Sequence, residues 1–214
     1  MLKKIVLKNY RNISNLEIEV GETGNLIIGD NGIGKTNFAE SIFYSVYGKP
    51  FRTSGSIDDF IGPEYNFSSV LTKWGNGEIL EVSTQRSMEK KITRIFKLNA
   101  KKVSTKLLPN KFPVLVFAPN TVDIINGEPV LRRDELDNFL AIIFSEYREE
   151  IDRYKNLLKN KNATLKMLAE GKGGIDTLEF WKKGLAKSGN YLNSKRRWLL
   201  AYFNSILEST QKST

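Results

Sequence analysis

A glycine-rich segment with one lysine and one threonine carries the clearest chemistry in the sequence. It fits the pattern G-x-x-x-x-G-K-[ST] and consists of Gly29, Asp30, Asn31, Gly32, Ile33, Gly34, Lys35 and Thr36. The glycines let backbone N–H groups turn inward around phosphate oxygens. The Lys35 ammonium would reach the β- and γ-phosphates, and the Thr36 hydroxyl would ligate Mg²⁺. The pattern predicts an ATP and magnesium site, against the alternative of a glycine-rich turn that only caps a helix.

Hydrolysis of a nucleotide needs a further acidic residue, at the end of a second apolar strand, to hold the metal and orient water. The apolar run Val114–Phe117 is followed by Ala118 and Pro119, and Asp30 lies inside the loop itself. None of the predicted strands ends in a suitable acid. The sequence therefore predicts no catalytic residue, and we expect this chain alone to bind nucleotide without turnover.

The loop lies between a predicted strand and a predicted helix, as phosphate binding requires. The short apolar run Asn25–Ile28 suits a strand that is buried on both faces. From Lys35 the apolar residues follow helical spacing, and Gly48 with Pro50 ends that helix. Upstream, the patterns of Leu2–Lys8 and Leu16–Val20 predict two strands.

Further strands are predicted between the helix and residue 117. Alternating residues indicate strands at Phe67–Trp74, Glu78–Arg86 and Lys91–Leu98, and the continuous apolar run Pro113–Phe117 indicates another. Ser56 has the position of an N-cap on a short helix. Together these elements predict an α/β domain over residues 1–130.

The chain becomes helical after Pro129. Apolar residues recur every three to four positions from Phe139 to Leu158, which predicts one long helix. A second is predicted from about Thr177 to Leu207, after a glycine-rich break. We expect the two to form an antiparallel arm over residues 131–214.

Composition excludes several classes of chemistry. The 214 residues include no cysteine and no histidine. Disulfides, the usual zinc sites and nucleophiles paired with histidine are therefore excluded. No apolar run is long enough to span a bilayer, so we expect no membrane partner and a cytoplasmic protein.

The positive charge is concentrated in the predicted arm. The formal net charge is +9, and residues 151–214 hold 13 basic and 5 acidic residues, a net +8. Such a surface can bind phosphate backbones through counterion release, or it can be a solvated helix face. The candidate contacts to DNA are Lys155, Lys159, Lys161, Lys195, Arg196 and Arg197.

Several stretches resemble a known family. The turn Asn9–Asn12 and the loop Gly29–Asn37 look like the N-terminal head of ATPases related to SMC proteins. The segments that resemble the RecF family in particular are Gly48–Thr53, Leu98–Val103, Pro113–Pro119, Gly127–Arg133, Tyr154–Asn162 and Phe180–Arg196. The family has acidic residues where this chain has Asn120-Thr121, and it has arginine where this chain has Lys161.

The resemblance implies an α/β P-loop NTPase head of ABC/SMC type, with a mixed β-sheet and an α-helical arm. It adds Arg11 and Asn37 to the nucleotide site. It implies a homodimer whose heads close around ATP on duplex DNA near single-strand gaps, with RecO and RecR as partners. The family's signature loop and metal-binding acid lie beyond the stretch that this chain matches. Two alternatives are an ABC- or OLD-type ATPase of defence or transport, and a truncated module that binds nucleotide or DNA without catalysis.

Overall fold

The computed structural model describes residues 1–51, 56–117, 128–172 and 175–211. The segments Arg52-Thr53 and Ala118–Gly127, which carry part of the family resemblance, lie outside the described residues. The chain divides into two compact units, Met1–Phe117 and Ala118–Thr214. Each unit has a hydrophobic core of its own.

The first unit is built on a six-stranded sheet with the order β2-β1-β3-β4-β5-β6. All of its pairings are antiparallel. The sequence predictions for the three strands between residues 67 and 98 are confirmed to within one residue, because alternation along a half-buried hairpin is a local pattern. The strands are β1 Leu2–Tyr10, β2 Ile13–Glu19, β3 Phe67–Trp74, β4 Ile79–Arg86, β5 Ile92–Leu98 and β6 Lys101–Lys102.

Helix α1 (Lys35–Tyr47) contributes to the core of the first unit together with the sheet. Its Tyr44 ring packs against Phe60 in a tilted arrangement with a centroid distance of 4.0 Å, and both rings are fully buried. The helix ends at Gly48, whose φ of 64° is in the left-handed region. A side chain there would also meet Phe96, since an added Cβ would lie 2.8 Å from its Cζ atom. The prediction that Gly48 ends the helix is confirmed.

The short helix predicted after Ser56 is a 3₁₀ turn over Ile57–Phe60, and it has a complete capping box. The Ser56 hydroxyl accepts from the Asp58 N–H at 3.3 Å, while Asp59 accepts from the Ser56 N–H at 2.7 Å. A one-turn helix α2 follows at Leu108–Lys111. These turns close one side of the core with the buried side chains of Phe60 and Leu108.

Two predicted strands are wrong. Neither Asn25–Ile28 nor Pro113–Phe117 forms a strand in the described part of the chain. Most of their apolar side chains are exposed, with Leu26, Ile28 and Phe117 at 85, 82 and 90% of full exposure, whereas Val114 is partly buried against the core. A run that suits burial on both faces becomes a strand only when neighbouring strands pair with it, and none of the described strands does so.

The second unit is made of helices α3 (Pro129–Ile143), α4 (Ser145–Ala169) and α5 (Ile175–Gln211). The prediction of one long helix through residue 158 is wrong, because Phe144 leaves helical geometry with φ −119° and ψ 112°. The Phe144 ring packs on Trp198, at a centroid distance of 5.3 Å, and the Lys195 ammonium lies 4.1 Å from its centre. These contacts join residues that are far apart in the sequence, so the spacing of apolar residues within one segment cannot predict them.

Helices α4 and α5 are antiparallel, as predicted. Contacts join Tyr147 to Tyr191 near the start of α4 and Thr164 to Trp181 near its end. Gly184 of α5 lets the helices approach, since an added Cβ would lie 3.1 Å from Leu157. No helix of the described residues is long and apolar enough to cross a membrane.

A polar cluster joins the three helices of the second unit. The Arg196 guanidinium of α5 makes two bonds to the Asp137 carboxylate of α3, at 2.8 and 2.7 Å. The Tyr147 hydroxyl of α4 donates to the same carboxylate at 2.6 Å. Burial, and then the Asp137 bond, raises the pKa of Tyr147 above its ordinary value of 10.0. The phenol therefore stays protonated and donates to Asp137 across the neutral range.

Candidate nucleotide-binding site

The glycine-rich loop uses backbone conformations that favour glycine. Gly32 has a φ of 84° and Gly34 a φ of 115°, and both values lie in the left-handed range. The residues from Gly29 to Ile33 are solvent-exposed. The loop is therefore accessible to a ligand, and its path depends on the absence of side chains at two of its three glycines.

The loop leads directly into the N-terminus of α1. Helix α1 begins at Lys35, its N-cap Gly34 provides no side-chain bond, and its first turn contains no acidic residue. The first N–H groups of any helix have no partner inside the helix. With no side chain capping them here, these groups and the positive end of the helix dipole are available to bind an anion.

The Lys35 ammonium is held over the loop by two backbone carbonyls. It donates to Gly29 O at 2.6 Å and to Asp30 O at 2.9 Å. An ammonium group has three N–H donors, so two of them are used in these bonds. Lys35 is thus placed at the first residues of the loop, where its positive charge can attract phosphate oxygens.

Thr36 is exposed on the first turn of α1. Among the described residues, no group of three or more histidine, cysteine, aspartate or glutamate side chains could hold a metal ion. Magnesium commonly takes only one or two protein oxygens, and it fills its other positions with water and substrate phosphates. The single Thr36 hydroxyl therefore fits Mg²⁺ that arrives with a nucleotide, and it does not by itself form a metal site.

The turn between β1 and β2 contacts the loop from outside the motif. The Asn12 side-chain amide donates to Gly32 O at 2.9 Å, and its carbonyl oxygen accepts from the Asn37 amide at 2.7 Å. Asn37, which the family resemblance added to the site, thus bonds to this turn. Asn12 was missed as a site residue, although its place in the turn motif of residues 9–12 was a signal.

Arg11 is paired with a buried acid of α1. Its Nη2 atom lies 2.7 Å from the Glu40 carboxylate, which is fully buried, and its guanidinium lies 5.0 Å from the centre of the Phe60 ring. Burial, and then the charge of Glu40, raises the pKa of the neighbouring Tyr10. The structure thus places Arg11 against the helix, and its contact with nucleotide stays a prediction. Glu40 was missed, although an acid on the apolar side of α1 was a visible signal.

The six candidate contacts to DNA have different surroundings. Lys155, Lys159 and Arg197 are exposed, whereas Lys161 is partly buried. Lys195 lies on the Phe144 ring, and Arg196 is bound to Asp137 as described above. Arg196 is therefore not directed outward as a DNA contact would be, because its guanidinium bonds to Asp137 and holds the helices together.

Two of the exposed lysines belong to a basic groove on α4. The groove has a volume of about 490 Å³, and its lining residues are Lys155, Leu158, Lys159, Asn162, Ala163 and Lys166. These residues follow helical spacing, so they lie along one face of α4. Lys166 was not among the candidates from the sequence, although it continues the spacing of the other two lysines.

Comparison with known proteins agrees with the architecture of both units. A family model described as "AAA domain" matches residues 4–209. The DNA replication and repair protein RecF of Clostridium botulinum is 32% identical over 207 residues, which are 96% of this chain and 55% of that protein. The chain therefore spans about half the length of the curated relatives that it matches.

Solved structures of RecF and of an Smc head domain are also similar to this chain. A structure of the recombination mediator protein RecF with ATPγS, from the RecFOR pathway, matches with a TM-score of 0.82 and 28% identity, over 94% of this chain and 54% of that one. An Smc head domain from Pyrococcus furiosus matches with a TM-score of 0.50 and 15% identity, over 99% of this chain and 60% of that one, which shows a shared fold. The expected fold, a P-loop ATPase head of ABC/SMC type with a helical region, is confirmed.

Proposed function

We propose that this chain, which belongs to the AAA domain family, forms the ATP-binding head and helical arm of a RecF-like DNA-repair protein. The similarity to RecF covers 96% of the chain, including the arm. Related ATPases of defence or transport would share the loop, but similarity to RecF along both units favours the repair function. The predicted domains at 1–130 and 131–214 correspond in this proposal to the head and the arm.

One observation carries the nucleotide site: the N-terminus of α1 is uncapped and directly follows the glycine-rich loop. Lys35 lies over the same loop, bonded to the carbonyls of Gly29 and Asp30. Backbone N–H groups, a helix dipole and an ammonium together suit the β- and γ-phosphates of ATP. We infer that Mg²⁺ would reach Thr36 together with the nucleotide and neutralise part of the phosphate charge.

In the whole protein, ATP binding would act as a switch. A ligand that binds between two heads stabilises the closed dimer to the extent that it binds the closed state more tightly than the open state. We propose that the closed dimer grips duplex DNA near single-strand gaps and that RecO and RecR are its partners. We also propose that the protein acts in the cytoplasm, where both DNA and ATP are present. Support comes from the RecF relatives and from a RecF structure of the RecFOR pathway.

An ATP titration of the 214-residue chain tests the nucleotide site. We expect ATP to bind with Mg²⁺ present, and Lys35→Ala to weaken binding at least about tenfold, because it removes the charge that faces the phosphates. Lys8→Ala, which changes an exposed lysine of β1, is the matched control and should bind like the wild type. Equal affinity of Lys35→Ala and wild type would refute the assignment of the loop.

A further inference from the structure

We propose that Asn12 is a positioning residue of the nucleotide site, and that its side chain sets the shape of the phosphate loop. The inference rests on the proposed function, since it concerns the binding of ATP by the same loop. Asn12 lies in the turn between β1 and β2, 20 residues before the loop residue that it contacts. The G-x-x-x-x-G-K-[ST] pattern does not include it.

Asn12 joins the middle of the loop to the first turn of α1. Its amide N–H bonds to Gly32 O at 2.9 Å, and its amide oxygen accepts from Asn37 at 2.7 Å. One planar group thus uses its donor on the loop and its acceptor on the helix. The two segments that would surround the phosphates are held in register by one side chain.

The fit of Asn12 against the loop is close. A Cβ added at Gly34 would lie 3.0 Å from the Asn12 amide oxygen and 3.3 Å from Ile13. A side chain at Gly34 would therefore push the Asn12 amide away from its present position. This gives Gly34 a second role besides its left-handed φ of 115°.

The turn that carries Asn12 is itself anchored to its surroundings. Arg11 pairs with Glu40 at 2.7 Å, and the Arg11 N–H donates to Phe60 O at 3.4 Å. Two residues earlier in the chain, the Gly62 N–H donates to Asn9 O at 2.8 Å. These bonds fix the backbone that leads into Asn12, so its amide meets the loop from a defined position.

A defined position of Gly32 O has a direct effect on the loop. In a trans peptide the N–H points opposite to the C=O, so the bond from Asn12 also fixes the plane of the Gly32–Ile33 peptide. Without that bond, a loop with two left-handed glycines has other conformations available. ATP binding would then have to order the loop, and the affinity would fall.

Asn12 is solvent-exposed, so its effect on ATP binding can be measured separately from its effect on the stability of the fold. Removing an exposed hydrogen-bonding group has little effect on folding, because water replaces the lost partner. We therefore expect Asn12→Ala to leave the melting temperature nearly unchanged while it lowers the affinity for ATP about tenfold. A residue with only a structural role would change both quantities together.

The experiment is a double-mutant cycle on ATP affinity with Asn12→Ala, Asn37→Ala and the double variant. If Asn12 acts through Asn37 and the loop, the double variant should lose less affinity than the two single losses combined. Asn15→Ala, an exposed asparagine of β2, is the control and should bind ATP like the wild type. Melting curves without nucleotide accompany each titration.

The outcomes separate this inference from the proposed function. If wild type and Asn15→Ala bind ATP and Asn12→Ala binds equally well, positioning by Asn12 is refuted while the nucleotide site stands. Strictly additive losses, or a loss of affinity matched by a lower melting temperature, also refute it. If the wild-type chain binds no ATP, the proposed function fails, and the role of Asn12 fails with it.

Discussion

The pair of Arg11 and Glu40 shows how single residues connect the sheet to the helix of the nucleotide site. Glu40 is fully buried on α1, and the Arg11 side chain is 16% exposed. An isolated buried carboxylate is strongly unfavourable, so its partner matters more for stability than an exposed ion pair would. Arg11 thereby joins the β1–β2 turn to the helix that follows the phosphate loop.

We expect Arg11→Ala to destabilise the chain by about 3 kcal/mol, because it leaves the Glu40 carboxylate buried without this cation. Replacing both residues, as Arg11→Met with Glu40→Leu, should recover most of the loss, since neither charge then remains. Urea unfolding of the single and double variants measures the difference. A single variant as stable as wild type would contradict the inferred dependence of Glu40 on Arg11.

Thr36 allows a test of magnesium at the residue scale. Thr36→Ala should weaken ATP binding in the presence of Mg²⁺ more than in EDTA, because only the metal-bound form uses the hydroxyl. Thr36→Ser keeps the hydroxyl and serves as the matched control. The measurement is the ratio of ATP affinities with and without Mg²⁺. The same ratio for wild type and Thr36→Ala would exclude Thr36 as a magnesium ligand.

At the scale of elements, the second unit depends on polar contacts as well as on its apolar core. The Asp137 carboxylate of α3 accepts from Tyr147 of α4 and from Arg196 of α5. The break at Phe144 lets α3 and α4 both reach this cluster. The three helices are thus joined at one point, beside the buried side chains of Leu140 and Leu199.

The raised pKa of Tyr147 predicts alkaline sensitivity of the helical unit. A group whose pKa is higher in the folded state contributes stability that is complete below its ordinary value, here 10.0, and that is lost as the pH rises through the folded value. Unfolding at pH 10 and above should therefore show a loss of stability that Tyr147→Phe lacks. The comparison cancels the titration of lysines, which both proteins share. Identical pH profiles would refute the role of the phenol.

The helices and strands that could be predicted from the sequence are those whose residue pattern lies within the element itself. The hairpins from Phe67 to Leu98 alternate residue by residue, and α1 follows from helical spacing and from Gly48. The break at Phe144 could not be predicted, because it depends on contacts with Trp198 and Lys195 about fifty residues away. In the site, the loop could be predicted from its own pattern, whereas Asn12 and Glu40 act through distant partners.

At the scale of the whole molecule, the described chain leaves apolar segments exposed. Leu26 and Ile28 precede the phosphate loop, and Leu115 and Phe117 end the first unit. The chain spans about half the length of the relatives that it matches. The strand prediction for these segments assumed neighbours on both sides, and a prediction from local pattern cannot show whether such neighbours exist. The phosphate loop nevertheless forms, since it is held by α1 and by the β1–β2 turn.

The positive charge of the molecule gives the last prediction. We expect the basic groove on α4 to contact DNA phosphates, so reversing Lys155, Lys159 and Lys166 to glutamate should weaken duplex binding and flatten its salt dependence. Each lost contact should reduce the slope of log K against log salt by about 0.9.

Lys195 and Arg196 are left unchanged, because their variants would disturb helix packing. The control reverses three exposed lysines of the first unit, Lys90, Lys101 and Lys102, which alters the net charge equally. If both triple variants lose the same slope, binding follows net charge alone and the groove is not a DNA site.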